Sequence, residues 1–374
     1  MHYSDYAKNS ELKTIIHVCQ YLKYGSGKGT IQLIKALKSM GFEQKLILPE
    51  PINNLDHGNE ELSELWRLGI PSKLVNSSFI REAWTAQSLG QSITQLVNDE
   101  KVAIITHGGF SAHVVRSIGF RFTHYCHGFG LDRPHWVNEQ DRQGISEAYR
   151  VLVASKNIAL QCVSLGIPKE SVAIHYYPLV LSLQDIFKPN FDTEVHLGQV
   201  GNFVSLKGHV YSLEVLRSLL TFNTFKTKRL FLHFYGTGPT ENEIKEQVRE
   251  MGLTKNVLFH GHCPRASIYA SIDIMLLPSL IEGLGMVNVE ATEFGVPICA
   301  FNVGGVGEII EHNKSGLLST VRDTDSMVKN VISLIENPSF AVQLAKGAQR
   351  KIKTMFNLPG SGSLLKNSLV PAID

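Results

Sequence analysis

The chain has 374 residues, 43% apolar and 19% charged, enough for about two domains with sizeable cores. Its 36 basic and 34 acidic residues leave a formal charge of +2, which excludes a nucleic-acid binder held by a broad basic field. No stretch approaches the ~18 apolar residues of a membrane span, and five scattered cysteines without Cys-x-x-Cys spacing exclude a disulfide scaffold.

The opening MHYSDYAKNSELK is too polar for a signal peptide, so a cytoplasmic location is expected, with peripheral membrane contact left open. The run TIIHVCQY predicts a strand, and KYGSGKGT predicts a glycine loop after it. A helix from about Thr30 to Met40 then places Leu33, Ala36, Leu37 and Met40 on one face, and Gly41 suits the position just past its end. The loop is neither of two familiar phosphate cradles. Gly27-Lys28 is followed by Gly29 where a Walker loop needs Ser or Thr. Gly25 and Gly27 are followed by Thr30 where a dinucleotide fingerprint needs its third glycine. Lys28 by itself is an ordinary loop lysine.

QKLILPE, KVAIIT, FTHYC and YRVLVAS continue the alternation of short apolar runs with helix-length segments. That is βαβ logic, which implies a parallel sheet covered on both faces. His107, His124 and His127 do not read as a zinc site, because His-x-x-His on a strand points to opposite faces. Trp66, Trp84 and Trp136 read as packing or acceptor-side residues. The pattern pauses in the polar LQDIFKPNFDTE, then resumes with HLGQVGNF, LFLHFYG, NVLFHG, DIMLLP and PICAFN. The fold class is α/β: two doubly wound Rossmann-like domains facing a cleft. The N-terminal domain is expected over 1–188, completed by the tail 357–374, and the C-terminal domain over 195–356. Asp323 and Asp325 form a literal Asp-x-Asp, but their place after SGLLSTV predicts a helix N-cap rather than a metal ligand. The tail predicts a helix to about Phe356, an NLPGSGS break and a short last helix.

The most informative stretch is Leu276 to Ile310, LLPSLIEGLGMVNVEATEFGVPICAFNVGGVGEII. A strand ends at Pro278, a loop carries Glu282, Gly283 and Gly285, and a helix runs from about Met286 to Phe294 with Gly295 behind it. The glycines let backbone N–H groups approach a ligand at a helix N-terminus, where anionic groups are favoured. Glu282 and Glu290 would bracket that ligand, and two carboxylates beside an anion site suit the hydroxyls of a sugar and a ribose. On spacing alone, the glycines are equally readable as turns and Glu290 as a solvated helix residue.

The order Pro-Ser, Glu, Gly-x-Gly, a second Glu eight positions after the first, Gly-x-Pro and Gly-Gly-x-x-Glu resembles the donor-sugar signature of retaining GT-B glycosyltransferases, glycosyl transferase family 4. VGNFVSLKGH is similar to the family's Gly-Arg-x-x-x-x-Lys-Gly segment, and FYGTGP and NVLFHGHC to its next strand–loop units. GSGKGT, YCHGFG and VLVASKN stand where the family has its N-terminal glycine loop, histidine motif and "VSE" segment. The resemblance implies that Lys207 holds the donor diphosphate, that backbone groups of Gly283, Leu284, Gly285 and Met286 face sugar and phosphates, and that Glu282 accepts from sugar hydroxyls. Glu290 would accept from the ribose, and Gly261, His262 and Cys263 would lie against the base. His127 would reach the transferring sugar, and Gly25 and Gly27 would close over the diphosphate or frame the acceptor. It further implies retention of anomeric configuration, no metal and no cofactor, with His127, Lys207 and Glu282 as the catalytic set.

Two departures stand out. Asn202 occupies the place of the family's arginine beside the diphosphate, removing a charge whose loss would either slow turnover or be offset by Lys28, Arg265 or another basic residue. IHYYPLVL stands where the family has a Pro-Asn-Gly-Val-Asp turn. The expected activity is transfer of a hexose, first of all glucose from UDP-glucose, to a glycan or lipid-linked acceptor in cell-surface or exopolysaccharide synthesis. The rivals are an inactive glycosyltransferase-like partner subunit and a nucleotide-sugar epimerase of the same architecture.

Overall fold

The computed structural model describes residues 12–373 except 20–21, 23, 50–58, 76–82, 98–100, 129–134, 180, 187–190, 223–224, 226 and 357. The start of the polar opening stretch and part of the pause near residue 190 lie outside the described residues. Two compact units form, Met1–Val180 with Phe356–Asp374, and Leu181–Met355.

The first unit holds strands β1 (Thr14–Cys19), β2 (Glu43–Pro49), β3 (Ser72–Val75), β4 (Val102–His107), β5 (Thr123–Cys126), β6 (Arg150–Val153) and β7 (Val172–Ile174). Its helices are α1 (Tyr24–Ser39), α2 (Asn59–Arg67), α3 (Ala83–Leu96), α4 (Gly109–Ser117), α5 (His135–Ser146) and α6 (Lys156–Ser164). The strands are parallel in the order β3-β2-β1-β4-β5-β6-β7. β4 is buried along its whole length, as expected of a strand covered on both faces.

Helix α1 begins six residues before the predicted Thr30, so Gly25, Gly27 and Gly29 lie in its first turns rather than in a loop. Packing explains two of them. A Cβ on Gly27 would sit 2.8 Å from the Leu22 carbonyl carbon, and one on Gly29 would sit 2.3 Å from the Tyr177 ring. Helix-interior glycine costs about 1 kcal/mol relative to alanine, and here close approach offsets it.

The second unit holds β8 (Glu194–Val200), β9 (Arg229–Tyr235), β10 (Val257–Phe259), β11 (Ile274–Leu277), β12 (Ile298–Phe301) and β13 (Leu317–Ser319). Its helices are α7 (His209–Thr221), α8 (Glu241–Glu250), α9 (Arg265–Ala270), α10 (Met286–Glu293), α11 (Val306–Ile309), α12 (Thr324–Glu336) and α13 (Pro338–Met355). The order β10-β9-β8-β11-β12-β13, again parallel, repeats the outward–return–outward winding of the first sheet. Val195, Leu197, Leu232 and Phe234 pack under Leu213, Leu216 and Val331 to form its main core. The Asp-x-Asp is a cap: Asp323 Oδ1 accepts from Ser326 N at 2.9 Å at the head of α12.

After α13 the chain returns to the first unit. The last helix, α14 (Leu358–Asn367), includes the Pro-Gly-Ser-Gly run that the sequence predicts as a break. Thr123 Oγ1 donates to Ser368 O at 2.5 Å, and Arg121 N to Ala372 O at 3.0 Å, so the tail is stitched to β5. Among the described residues no helix is long and apolar enough to cross a membrane.

Candidate functional site

In open parallel sheets, ligands bind beyond the carboxyl ends of the strands at the point where the winding reverses. In the second unit that point lies between β8 and β11. Lys207 follows β8 and Glu282 follows β11, and the two side chains meet there: Lys207 Nζ lies 2.5 Å from Glu282 Oε1. Ser279 Oγ donates to the same Oε1 at 2.9 Å.

The surrounding backbone is locked. Gln199 Nε2 donates to Lys207 O at 2.8 Å and is itself fixed by Ser212, whose hydroxyl donates to Gln199 Oε1 at 2.7 Å. Leu280 N donates to Leu206 O at 2.8 Å, joining the loops after β8 and β11. Gly208, at φ +64°, approaches so closely that a Cβ would lie 2.1 Å from Pro278 O. That contact leaves no room for any other residue. The adjacent His209 stacks on Phe203 with centroids 4.1 Å apart, and burial followed by the Lys207 charge lowers its pKa to about 4.

Helix α10 begins at the same end of the sheet. Gly285, at φ +80°, caps it, and Asn288 N closes the first turn on Gly285 O at 2.9 Å. The N–H groups of Met286 and Val287 therefore have no acceptor inside the helix, as at any helix start. Gly283 accepts from Gly305 N at 2.9 Å, and Leu284 is buried. Glu290 is one turn further in and buried, and Tyr269 OH donates to its Oε2 at 3.1 Å. Arg265 is 3.9 Å from Glu290 and ion-paired to Glu293. Burial alone would lower the Arg265 pKa, and Glu290 and Glu293 more than offset it, so the net shift is upward. Arg265, weighed in the sequence as a replacement for the missing arginine, is thus engaged by these two carboxylates.

The loops after β9 and β10 continue the rim. Gly236 N donates to Gly261 O at 2.8 Å, and a Cβ on Gly236 would sit 2.1 Å from Gly201 O, beside Asn202. His262 Nε2 pairs with Thr237 Oγ1 at 2.9 Å, and Cys263 Sγ donates to His260 O at 3.5 Å. Parallel strand direction therefore puts Asn202, Lys207, Gly261, His262, Cys263, Glu282 and the start of α10 at one end of one sheet.

In the first unit His127 follows β5 and is only partly buried. Its Nε2 is 3.1 Å from His107 Nδ1, and its Nδ1 is 2.7 Å from Tyr177 OH. Thr30 of α1 touches both histidines at 3.3 Å, so the helix bearing Gly25 and Gly27 adjoins the same cluster. His124 turns away to Thr106 Oγ1 at 2.8 Å. Spacing gave no sign that His107 and His127 touch, because their contact depends on sheet register. The IHYYPLVL departure is part of the cluster, since it supplies Tyr177, and His175 Nδ1 lies 3.0 Å from Tyr125 OH. Among the described residues no group of three His, Cys, Asp or Glu is placed to hold a metal ion.

Residues 183–351 match the family model of glycosyl transferases group 1, so the C-terminal unit carries that domain. A glycosyltransferase of Haemophilus influenzae, described as uncharacterized, is 34% identical over 148 residues, 39% of this chain and 41% of that protein's own length. An uncharacterized 41.2 kDa protein in a cps region of Klebsiella pneumoniae is 24% identical over 316 residues, 74% of this chain and 84% of that protein. Among solved structures, Anabaena HepE in complex with UDP superposes with a TM-score of 0.73 at 17% identity, covering 94% of this chain and 98% of that one. S. aureus TarM gives 0.78 at 13% identity, covering 95% and 98%. The fold is that of GT-B glycosyltransferases, and the domain match with its glycosyltransferase relatives supports a glycosyltransferase enzyme.

Proposed function

We propose that this glycosyltransferase takes a hexose from a nucleotide-diphosphate donor, UDP-glucose first, and transfers it with retention to a glycan or lipid-linked acceptor. The observation that carries the reading is the Lys207–Glu282 pair at the switch point, beside the open N-terminus of α10. An ammonium has three donors, and one serves Glu282, leaving two for a diphosphate. As the sugar–phosphate bond breaks, negative charge grows on the leaving nucleotide, and Lys207 with the N–H groups of Met286 and Val287 stabilises it. Glu282, held by Ser279, accepts from sugar hydroxyls and orients the donor; it is a positioning group rather than a nucleophile. Glu290, one turn into α10, accepts from the ribose, with Tyr269 fixing its orientation.

No cofactor and no metal ion enter this reading, since a lysine and a helix terminus supply the charge. Turnover should accordingly be unaffected by EDTA. The UDP donor is supported by HepE, solved with UDP, with UDP-glucose, and with UDP and glucose. A setting in cell-surface glycan synthesis is supported by the cps-region protein and by a lipopolysaccharide core mannosyltransferase of Rhizobium meliloti, 32% identical over 124 residues.

Calorimetry with UDP, GDP and ADP, followed by a donor screen read by mass spectrometry, tests the proposal: UDP should bind and nucleotide release should require an acceptor. Glu290→Gln should weaken UDP by about tenfold, the worth of one charged hydrogen bond, with little change in Tm. Unchanged affinity would remove the ribose role. Asn202 favours a second reading, an inactive subunit, because the rim lacks the arginine charge there. Asn202→Arg should raise donor affinity under the enzymatic reading, whereas failure of all three nucleotides to bind would select the inactive one.

A further inference from the structure

A row of side chains crosses the first sheet, from Gln44 near the start of β2 and His17 inside β1 to His107 at the end of β4 and His127 just past β5. Gln44 on β2 contacts His17 on β1, with Gln44 Oε1 2.7 Å from His17 Nε2. His17 Nδ1 lies 3.0 Å from His107 Nε2 at the end of β4. His107 Nδ1 lies 3.1 Å from His127 Nε2, and His127 Nδ1 lies 2.7 Å from Tyr177 OH. The three rings are nearly parallel, at 25° and 20° to one another, and meet edge to edge with centroids 5.3 Å apart at each step. Gln44, His17 and His107 are buried, and His127 is the histidine that reaches the surface.

A row of neutral imidazoles can be polarised in either direction, because each ring has one N–H and one bare nitrogen. One end breaks the tie. Gln44 Nε2 donates to Phe42 O at 3.2 Å, and a carbonyl only accepts, so the amide nitrogen faces Phe42 and Oε1 faces His17. His17 must then carry its proton on Nε2, which leaves Nδ1 to accept from His107 Nε2–H. By the same step His107 Nδ1 accepts from His127 Nε2–H. His127 Nδ1 is left bare. Thr30 is compatible with either sense: its hydroxyl donates to Ser26 O at 2.9 Å, and its oxygen lies 3.3 Å from both His127 Nε2 and His107 Nδ1, so the direction is set by Gln44.

We propose that Gln44, His17 and His107 are positioning residues that fix the tautomer of His127, so that the nitrogen it presents at Nδ1 is an acceptor of a hydroxyl proton. In the structure that hydroxyl is Tyr177. On the reading that the chain transfers sugar, a hydroxyl of the sugar donor or acceptor replaces it, and His127 serves neither as a proton donor nor as a cation. The row also excludes a second proton on its inner members: on His107 it would bring Nδ1–H against His127 Nε2–H, and on His17 it would bring Nδ1–H against His107 Nε2–H.

The test uses the full chain with 15N-labelled histidine and long-range 1H–15N correlation spectra near neutral pH, each resonance assigned by a single His→Gln variant. His17, His107 and His127 should all show protonated Nε2 and bare Nδ1. Gln44→Glu keeps an acceptor and should preserve the pattern, whereas Gln44→Met removes it and should let an Nδ1–H population appear at His127. Tyr177→Phe should leave His127 in its Nε2–H form, because the direction is set from the other end. An Nδ1–H form of any of the three in the unaltered chain would overturn the proposal, as would a Tyr177→Phe chain whose His127 changes tautomer. A folded Gln44→Met chain with His127 unchanged would do the same. If Gln44→Met does not fold, the unaltered chain, Gln44→Glu and Tyr177→Phe decide the matter. None of these spectra needs a sugar donor, so they fail or succeed independently of the proposed transfer.

Discussion

Replacing Lys207 by methionine should lower sugar transfer by about 10²- to 10³-fold, the usual loss when one preorganised donor is taken from a developing anion. Stability complicates the reading of that number. The Glu282 side chain is 8% exposed, and its Oε1 is served by both Lys207 and Ser279. Without the ammonium, a nearly buried carboxylate loses its counter-charge, which destabilises the site irrespective of catalysis. The double variant Lys207→Met/Glu282→Gln removes both charges together and separates the effects. It should recover most of the thermal stability lost in the single variant and none of the rate. Steady-state kinetics at saturating UDP-glucose, with Tm measured alongside, make the comparison. A single variant within about fivefold of the parent rate would place the diphosphate elsewhere.

Local patterns carried much of this architecture. The bounds of α10 followed from Pro278, Gly285 and Gly295, the last at φ +70°, because each residue type answers a local backbone demand. The Asp323 cap was legible for the same reason. The start of α1 was not. Gly25, Gly27 and Gly29 read as a loop because glycine is a poor helix former, and only the Leu22 backbone and the Tyr177 ring explain two of those places. Lys207 and Glu282 are 75 positions apart; the family resemblance put both at the donor site, one for diphosphate and one for sugar hydroxyls, and their ion pair was legible in neither resemblance nor spacing. The imidazole row joins residues 27, 90 and 20 positions apart through sheet register, a quantity that a single sequence does not state.

That row has a consequence for acid stability. Burial lowers His17 from 6.5 to about 4, and burial, then the neighbouring His17, His127 and His124, drives His107 well below 6.5. The unfolded chain takes up these protons as pH falls below 6.5, while folded His17 refuses its proton until about 4 and folded His107 takes its own only well below 6.5. The unfolded state therefore binds more protons in this window, and stability declines as pH falls through it, being fully present above 6.5. Each such histidine contributes a slope of up to about 1.4 kcal/mol per pH unit. Two of them over the interval from pH 6.5 to 5 remove about 3 kcal/mol, a large part of the ~5–15 kcal/mol that holds a domain together. Trp66, Trp84 and Trp136 all belong to the first unit, so tryptophan fluorescence follows its unfolding alone. Urea titrations should show its midpoint falling steeply between pH 6.5 and 5 and hardly moving between 8 and 7. His107→Gln removes one titrating ring while retaining an amide able to donate to His17 and to accept from His127, and should flatten the lower part of the curve. A midpoint constant from pH 8 to 5 would mean that the imidazoles accept protons without breaking their row.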